Sequence, residues 1–257
     1  MSKRTLVGLQ ARMSSNRLPG KVMKDINGFP MIFWQIQRIL RSKTIDELVV
    51  VTSTDATDDV LVDYLRRSSV NVYRGDLNDV LSRYLEASLA YPHDALIRLT
   101  GDCPLVMPEL IDQMVKKFYA LDVDYLSNTL QPTYPDGLDI EIINKGVLNR
   151  LVSFGLTQKE TEHVTLGIYT RPDEFKCINY ENFRDYSFQR WTVDYQEDFD
   201  FVQNIFSFFL STSFATKFLS TLTRSQMQMS QSAESNFPML ILVLPSRLRF
   251  FHLRVSK

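Results

Sequence analysis

Three short apolar runs recur in the first half of the chain: "TLVGLQA" from Thr5, "ELVVVTS" from Glu47 and "ALIRLTGD" from Ala95. Each reads as a strand buried in a sheet, and each gives way to a polar loop. Helical patterns lie between them. Pro30 stands in the first turn of a helix whose apolar residues Ile32, Phe33, Ile36, Ile39 and Leu40 repeat at helical spacing. Residues 58–67 and 78–90 read as further helices, "VNVYRG" as a shorter strand, and Pro108 opens a helix running to Tyr119. This alternation demands an α/β fold with a mostly parallel sheet flanked by helices on both faces. In such sheets ligands bind outside the carboxyl ends of the strands. The loops after Leu9, Val51 and Leu99 are therefore the first places to look for a site.

The second half is less regular. "YPDGLDIEIIN" reads as a loop entering a strand, "KGVLNRLVSFG" as a helix stopped by Gly155, and "FKCINY" as a strand. "WTVDYQEDFDFVQNIFSFF" reads as a strand end, a turn and a helix. Beyond residue 209 the composition changes: there is no glycine, one acid (Glu234), and the cations Lys217, Arg224, Arg247, Arg249, Arg254 and Lys257. The expected division is a domain over residues 1–209 and a basic, apolar segment over 210–257. That segment reads as partly disordered or as a packed or interface segment, with an altered reading frame as the alternative.

A chain of 257 residues with a net charge of −1 carries no global signal for nucleic acid or membrane. Cys103 and Cys177 have neither metal-ligand spacing nor a disulfide framework, which suits a reducing compartment. The apolar stretch near the start is too short for a signal peptide, and no run approaches the roughly 20 residues of a membrane span. A cytoplasmic location is the expectation.

The loop after the first strand, "QARMSSNRLPGK", holds Arg12, Arg17 and Lys21 around Ser14 and Ser15. Side-chain charge and backbone N–H groups can cradle a polyphosphate there, and a solvated turn is the plain alternative. It is not a Walker A loop, since Gly8 and Gly20 lie too far apart and no Ser or Thr follows Lys21. In "RLTGDCPL", Asp102 follows a buried strand, where a carboxylate can hold Mg²⁺ beside a phosphate or simply cap the next element. Asp194 in "RWTVDYQED" is comparable: a second carboxylate for one ion, or the cap of a helix beginning near Asp198. Asp139 and Glu141 lie two apart in an expected strand and point the same way, toward a sugar or metal site or as a charged outer face. His163 fits an acceptor contact, a general base or a structural hydrogen bond. Trp34, Tyr64 and Tyr84 read as packing residues.

Taken in order, these motifs resemble a known group. "ARMSSNRLPGKVM" resembles the signature of the sugar cytidylyltransferases, which include the acylneuraminate and 3-deoxy-manno-octulosonate enzymes. "VVVTSTDATDD", "YRGDLNDVLSRY", "RLTGDCPLV", "YPDGLDIEII", "TEHVT" and "RWTVDYQED" resemble the branch named for spore-coat polysaccharide biosynthesis protein F. The likeness runs from about Leu6 to Phe206. It implies a single nucleotide-diphospho-sugar transferase domain of the GT-A, Rossmann-like type. It also implies Mg²⁺-dependent transfer of CMP from CTP to an acidic or surface-polysaccharide sugar, with pyrophosphate released.

By position, the resemblance assigns Arg12, Ser15, Arg17 and Lys21 to the triphosphate and Leu9, Gln10 and Ala11 to the base. Asp102 and Asp194 match the metal-binding aspartates, and with Arg12 and Lys21 they form the expected catalytic set. Arg74, Gly75 and Asp76 fall beside the nucleotide. Asp79, Arg83, Asp136, Asp139, Glu141, Glu162 and His163 fall on the acceptor side, with Gly137 among them. CTP and a sugar acceptor are the expected partners, with a homodimer possible in the group and no nucleic acid. A glycosyltransferase using a nucleotide-sugar donor and a non-catalytic nucleotide-sugar-binding protein are the alternatives. "DCP" departs from the Gln-Gly-Asp-Glu-Pro and Gln-Pro-Thr-Ser-Pro runs of the better-known enzymes, so the acceptor is not carried over from them.

Overall fold

The computed structural model describes residues 3–222, with side chains through Ser211. In chain order the elements are β1 (Thr5–Gln10), β2 (Asp25–Ile26), β3 (Phe29–Pro30), α1 (Met31–Ile39), β4 (Glu47–Ser53), α2 (Asp59–Arg67), β5 (Asn71–Gly75) and α3 (Val80–Ala90). They continue as β6 (Ala95–Thr100), α4 (Pro108–Ala120), β7 (Tyr125–Ser127), β8 (Glu141–Asn144), α5 (Val147–Val152), α6 (Gln158–Glu162), α7 (Leu166–Tyr169), β9 (Cys177–Asn179) and α8 (Gln196–Leu222).

Seven strands form one mixed sheet in the order β5-β4-β1-β6-β8-β7-β9. The β5-β4-β1-β6 half is parallel, β8 runs antiparallel to both its neighbours, and β9 is parallel to β7. The alternation of strand side chains divides the core into two layers. Val7, Leu9, Val50, Ile97 and Leu99 face a layer closed by α1, α2, α4 and α8. Leu6, Val49, Val51 and Leu96 face the opposite layer, closed by α3, α5 and α7. Both faces of these strands are mainly apolar, because both are covered. Each fully buried Leu or Ile contributes roughly 1.5–3 kcal/mol, so the paired layers dominate the stability of the frame.

From β1 the chain moves outward on one side to β4 and β5, then returns past β1 to β6 on the other. The carboxyl ends of β1 and β6 therefore part at the switch in direction, where an open α/β sheet leaves a crevice. α8 closes the far side of the layer. Phe199, Val202 and Phe206 pack inward, and the Phe206 ring lies 5.0 Å from that of Trp34.

Several expectations change in detail. Residues 191–194 form no strand; pairing there is a single bridge between Asp136 and Arg190, because the segment crosses the sheet's end and does not extend an edge. β7 and the β2–β3 hairpin carry too few residues to show a pattern in sequence. Asp139 precedes β8, which begins at Glu141. The expected boundary at 209/210 falls inside α8, and residues 223–257 of the expected C-terminal segment lie outside the described residues. Among the described residues no helix is long and apolar enough to cross a membrane.

Candidate active site

The loop following β1 is held from below by a buried carboxylate. Asp58, fully buried, accepts from the Met13 backbone N–H at 2.7 Å, from Thr52 Oγ1 at 2.9 Å and from the Ser53 N–H at 3.1 Å. It ties the loop to the carboxyl end of β4. The Gly20 N–H returns to the Met13 carbonyl at 2.9 Å, closing a compact turn. Arg12 makes no ion pair among the described residues, and Ser14 Oγ is buried without a partner among them. Leu9 and Ala11 are buried beside this loop, and Gln10 and Ser15 are half-buried.

Lys21 opens the short 3-10 turn that ends the loop, and its side chain reaches into the crevice. Its Nζ donates to the Val193 carbonyl at 2.7 Å and to Asp194 Oδ1 at 3.0 Å, and lies 3.5 Å from Asp102 Oδ2. Arg17 reaches the same Asp194 oxygen at 2.8 Å, and Arg190 takes the other at 3.0 Å. Arg190 also bridges Asp136 at 3.2 Å and Asp198 at 3.0 Å. Burial pushes the Asp194 carboxyl up, but the hydrogen bond and charge of Lys21, with Arg190 and Arg17, hold it below the usual carboxylate range. Asp136 moves the other way: burial and the nearby carboxylates raise it against the pull of Arg190.

Two close backbone approaches make this cluster. The Gly101 N–H donates to the Gln10 carbonyl at 2.7 Å, and a Cβ there would come 3.0 Å from Ala11 Cβ and 3.1 Å from that carbonyl. The absent side chain lets the loops after β1 and β6 meet and brings Asp102 beside Lys21. Gly137 has a φ of 106°, and a Cβ on it would lie 2.5 Å from the Thr192 nitrogen. That contact seats residues 136–139 against 190–192, with the Trp191 N–H on the Asp136 carbonyl at 2.6 Å.

Asp194 caps no helix. Asp198, in the first turn of α8, accepts instead at 2.9 Å from the N–H groups of both Asp194 and Tyr195 just before the helix. Asp194 is thereby free to face the cations. The oxygens of Asp102 and Asp194 converge on one cationic atom, a hard-oxygen set suited to a divalent ion. Among the described residues no group of three or more His, Cys, Asp or Glu side chains could hold a metal alone. The pair fits an ion such as Mg²⁺ that is bound by one or two carboxylates and completed by phosphate oxygens and water.

Beside the cluster, across Thr100, opens a cavity of about 330 Å³ lined by Arg98, Asp139, Glu141, His163, Thr165 and Tyr169, among others. Its floor is a buried ion pair between Arg98 and Glu141. Glu141 also accepts from the hydroxyls of Tyr125 and Thr165, both at 2.5 Å, and Arg98 donates to Gln10 Oε1 at 3.1 Å. Burial raises Glu141, but Arg98 and the two hydroxyls more than reverse it. Asp139 has no cation or hydroxyl partner among the described residues: burial and the charges of Asp136, Glu141 and Asp102 push it up to about 7, against a hydrogen bond from the Gly137 backbone.

The other expected site residues have local tasks. Arg74 donates to the Ser53 and Asp55 carbonyls and pairs with Asp59 at 2.8 Å, holding the loop after β4. Asp76 accepts from the N–H groups of Asn78 and Asp79, and Asp79 caps α3 through the Ser82 N–H at 2.8 Å. A Cβ on Gly75 would meet Arg83 Cγ at 2.5 Å. Arg83 is fully buried, donates to the Leu77 carbonyl at 3.3 Å, and leaves Nε and Nη1 without a partner among the described residues. Glu162 is exposed at the end of α6. Asp79, Arg83 and Glu162 do not line the cavity. Sequence reasoning passed over Arg190 and Arg98, and read Asp58 only as favourable to the dipole of the helix it precedes. For Arg190 the four-residue steps to Asp194 and Asp198 were a usable signal, and for Arg98 a lone cation in an apolar strand was another.

Residues 7–231 match the sequence profile of a family described as cytidylyltransferase. The chain is 32% identical over 206 residues to spore coat polysaccharide biosynthesis protein SpsF of Bacillus subtilis, covering 77% of this chain and 84% of that one. Among solved structures it is similar to a cytidylyltransferase from Leptospira borgpetersenii, with a TM-score of 0.77 and 30% identity over 89% of this chain and all of the other. It shares its fold with CMP:2-keto-3-deoxy-manno-octonic acid synthetase solved with CTP, with a TM-score of 0.61 and 18% identity over 79% of this chain and 98% of that one. The narrower GT-A description fits the mixed sheet only loosely.

Proposed function

The chain belongs to the cytidylyltransferase family and is a nucleotidyltransferase, and we propose that it transfers CMP from CTP to a sugar hydroxyl, releasing pyrophosphate. The observation that carries this reading is the position of Lys21 Nζ, between Asp102 and Asp194 at the crevice, with a sugar-sized cavity alongside.

Four cations (Arg12, Arg17, Lys21 and Arg190) and four carboxylates (Asp102, Asp136, Asp194 and Asp198) share this region. Arg12, which has no carboxylate partner among the described residues, is the first phosphate ligand. Lys21 and Arg17 exchange their contacts with Asp194 for phosphate oxygens as the nucleotide enters. Asp102 and Asp194 would hold Mg²⁺, which supplies charge neutralisation on the phosphates and acidifies the acceptor hydroxyl. Gln10 and the close backbone of residues 9–11 face the base. The acceptor lies in the cavity, oriented by Asp139, Glu141 and His163.

The acceptor oxygen forms a bond to the α-phosphorus, the bond from that phosphorus to the bridging oxygen breaks, and pyrophosphate departs. The hydroxyl proton passes to water. Little covalent help from the protein is needed, so positioning and preorganised charge provide the rate. Lys21 and Arg12 stabilise the charge that gathers on the leaving group.

The test is to incubate the purified protein with Mg²⁺, each of the common nucleoside triphosphates in turn and a panel of sugars, and to measure pyrophosphate. Release with CTP and an acceptor together, and with neither alone, is expected. Silence with every pair from a folded sample, or sugar transfer from a nucleotide-sugar without pyrophosphate, contradicts the reading.

A further inference from the structure

Both oxygens of Asp194 are already engaged by cations of the chain itself. Oδ1 accepts from Lys21 at 3.0 Å and from Arg17 at 2.8 Å, and Oδ2 from Arg190 at 3.0 Å. Asp102 is less committed: its side chain is 30% exposed and Lys21 lies 3.5 Å away. On the reading that these two carboxylates hold the metal ion, three cations stand where the ion must go. An entering ion therefore competes with them for Asp194.

The three differ in what they keep on yielding. Lys21 retains the Val193 carbonyl at 2.7 Å. Arg17 is 52% exposed, and water or a phosphate receives it. Arg190 is seated independently of Asp194. Its Nε and Nη2 fork onto the two oxygens of Asp198 at 3.2 and 3.0 Å, and its Nη1 reaches Asp136 at 3.2 Å. The same Nη2 serves Asp194. Its hold on Asp194 is thus one shared hydrogen bond from a guanidinium that two other carboxylates already fix. Arg190 can release Asp194 without moving and without leaving its own charge unpaired, the outcome that makes a broken ion pair costly. Its backbone is fixed as well, bridged to that of Asp136.

We propose that Arg190 is a positioning residue of the metal site. It holds Asp194 in place of the ion, opposes the entry of a bare ion, and falls back on Asp198 and Asp136 when an ion arrives with a nucleotide. The triphosphate makes the difference, because its charge attracts the guanidinium that repels a bare ion and draws Lys21 and Arg17 away from Oδ1.

The experiment titrates Mn²⁺, a paramagnetic substitute for Mg²⁺, into the nucleotide-free protein and follows binding by electron paramagnetic resonance. Arg190→Gln is expected to bind Mn²⁺ about fivefold or more tightly than the unaltered protein. A merely structural tie predicts the opposite sign, since loosening residues 190–194 misplaces Asp194 and weakens its hold on the ion. Lys24→Gln is the control for charge alone: Lys24 bonds to Gln196, not to Asp194, and a change below about twofold is expected. If Arg190→Gln does not fold, Arg190→Lys takes its place; a single nitrogen cannot span Asp198 and Asp194 together, and a gain of about twofold or more is expected. Mn²⁺ binding that is unchanged or weaker in the folded variant overturns the proposal, as does an equal gain in Lys24→Gln. Asp194→Asn, titrated calorimetrically with a non-hydrolysable CTP analogue in Mn²⁺, separates this proposal from the functional reading beneath it. If analogue affinity falls in Asp194→Asn while Arg190→Gln gains nothing for Mn²⁺, the metal site stands and the role of Arg190 alone is overturned. Analogue affinity unchanged in Asp194→Asn removes Asp194 from the metal site and overturns both.

Discussion

The phosphate-side cluster and the cavity floor use the same chemistry, basic side chains against carboxylates, for opposite ends. Around Lys21 the pairs are exchangeable. Lys21 and Asp194 are themselves only 10% and 9% exposed, but Asp194 is shared among three cations, and the other two, Arg17 and Arg190, are 52% and 41% exposed. In the floor, Arg98 and Glu141 are 16% and 9% exposed, and hydroxyls engage the remaining carboxylate oxygen. A shared network with exposed members can surrender a partner to a phosphate. A single buried pair cannot, because removing either member leaves the other charge without water or partner. Partner number and the exposure of the additional partners, more than residue type, separate a ligand-binding charge from a structural one.

The sharpest way to break that comparison is Glu141→Ala. It leaves Arg98 buried and unpaired, and should cost about 3–5 kcal/mol in urea unfolding. A change below about 1 kcal/mol would make the floor as dispensable as a surface pair. Next in size is Asp58→Ala, which frees the loop after β1 from its anchor and strands the Met13 N–H. A loss of about 1–3 kcal/mol is expected, with weaker CTP binding. Unchanged CTP affinity would show that the loop holds its shape without Asp58.

A smaller effect concerns acid. Asp198 is held down to about 2, below its ordinary value of 3.8: burial opposes ionisation, and the hydrogen bonds of Arg190 and of the Asp194 and Tyr195 backbone outweigh it. Its depressed folded-state pKa makes the contribution complete above about pH 4, and this is lost as the pH falls through 4 toward 2. Asp198→Asn should therefore flatten the decline of stability across that window, seen as a shallower slope of unfolding midpoint against pH. An unaltered slope would remove Asp198 from that role. The smallest effect belongs to Arg17→Ala, whose exposed pair should leave the unfolding midpoint unchanged while CTP binding weakens. A midpoint shift comparable to that of Glu141→Ala would erase the contrast between the two regions.

The frame and half of this contrast were legible in sequence. β1, β4 and β6 announce themselves because both their faces are buried, and the loops that follow them fall at the sheet's switch point by topology alone. Asp102, Asp194 and Lys21 were readable as a set from chemistry that needs both charges together. The tie of Arg190 to Asp136 was not, since that partner lies 54 residues away and is reached only through the tight crossing at Gly137. The reading of 191–194 as a strand end failed for the same reason: "WTVD" is apolar because it is buried against the crossing, not because it pairs along an edge. Asp76 and Asp79 have a local task that the motif does not reveal. Their carboxylates accept from backbone N–H groups two or three residues away.

The central claim is that the cluster on Lys21 is where the triphosphate of CTP binds, and calorimetric titration of CTP in Mg²⁺ with the unaltered protein and Lys21→Met tests it most directly. The account predicts at least a tenfold loss of affinity in the variant, with the unfolding profile retained; equal CTP affinity in two equally folded proteins would contradict it.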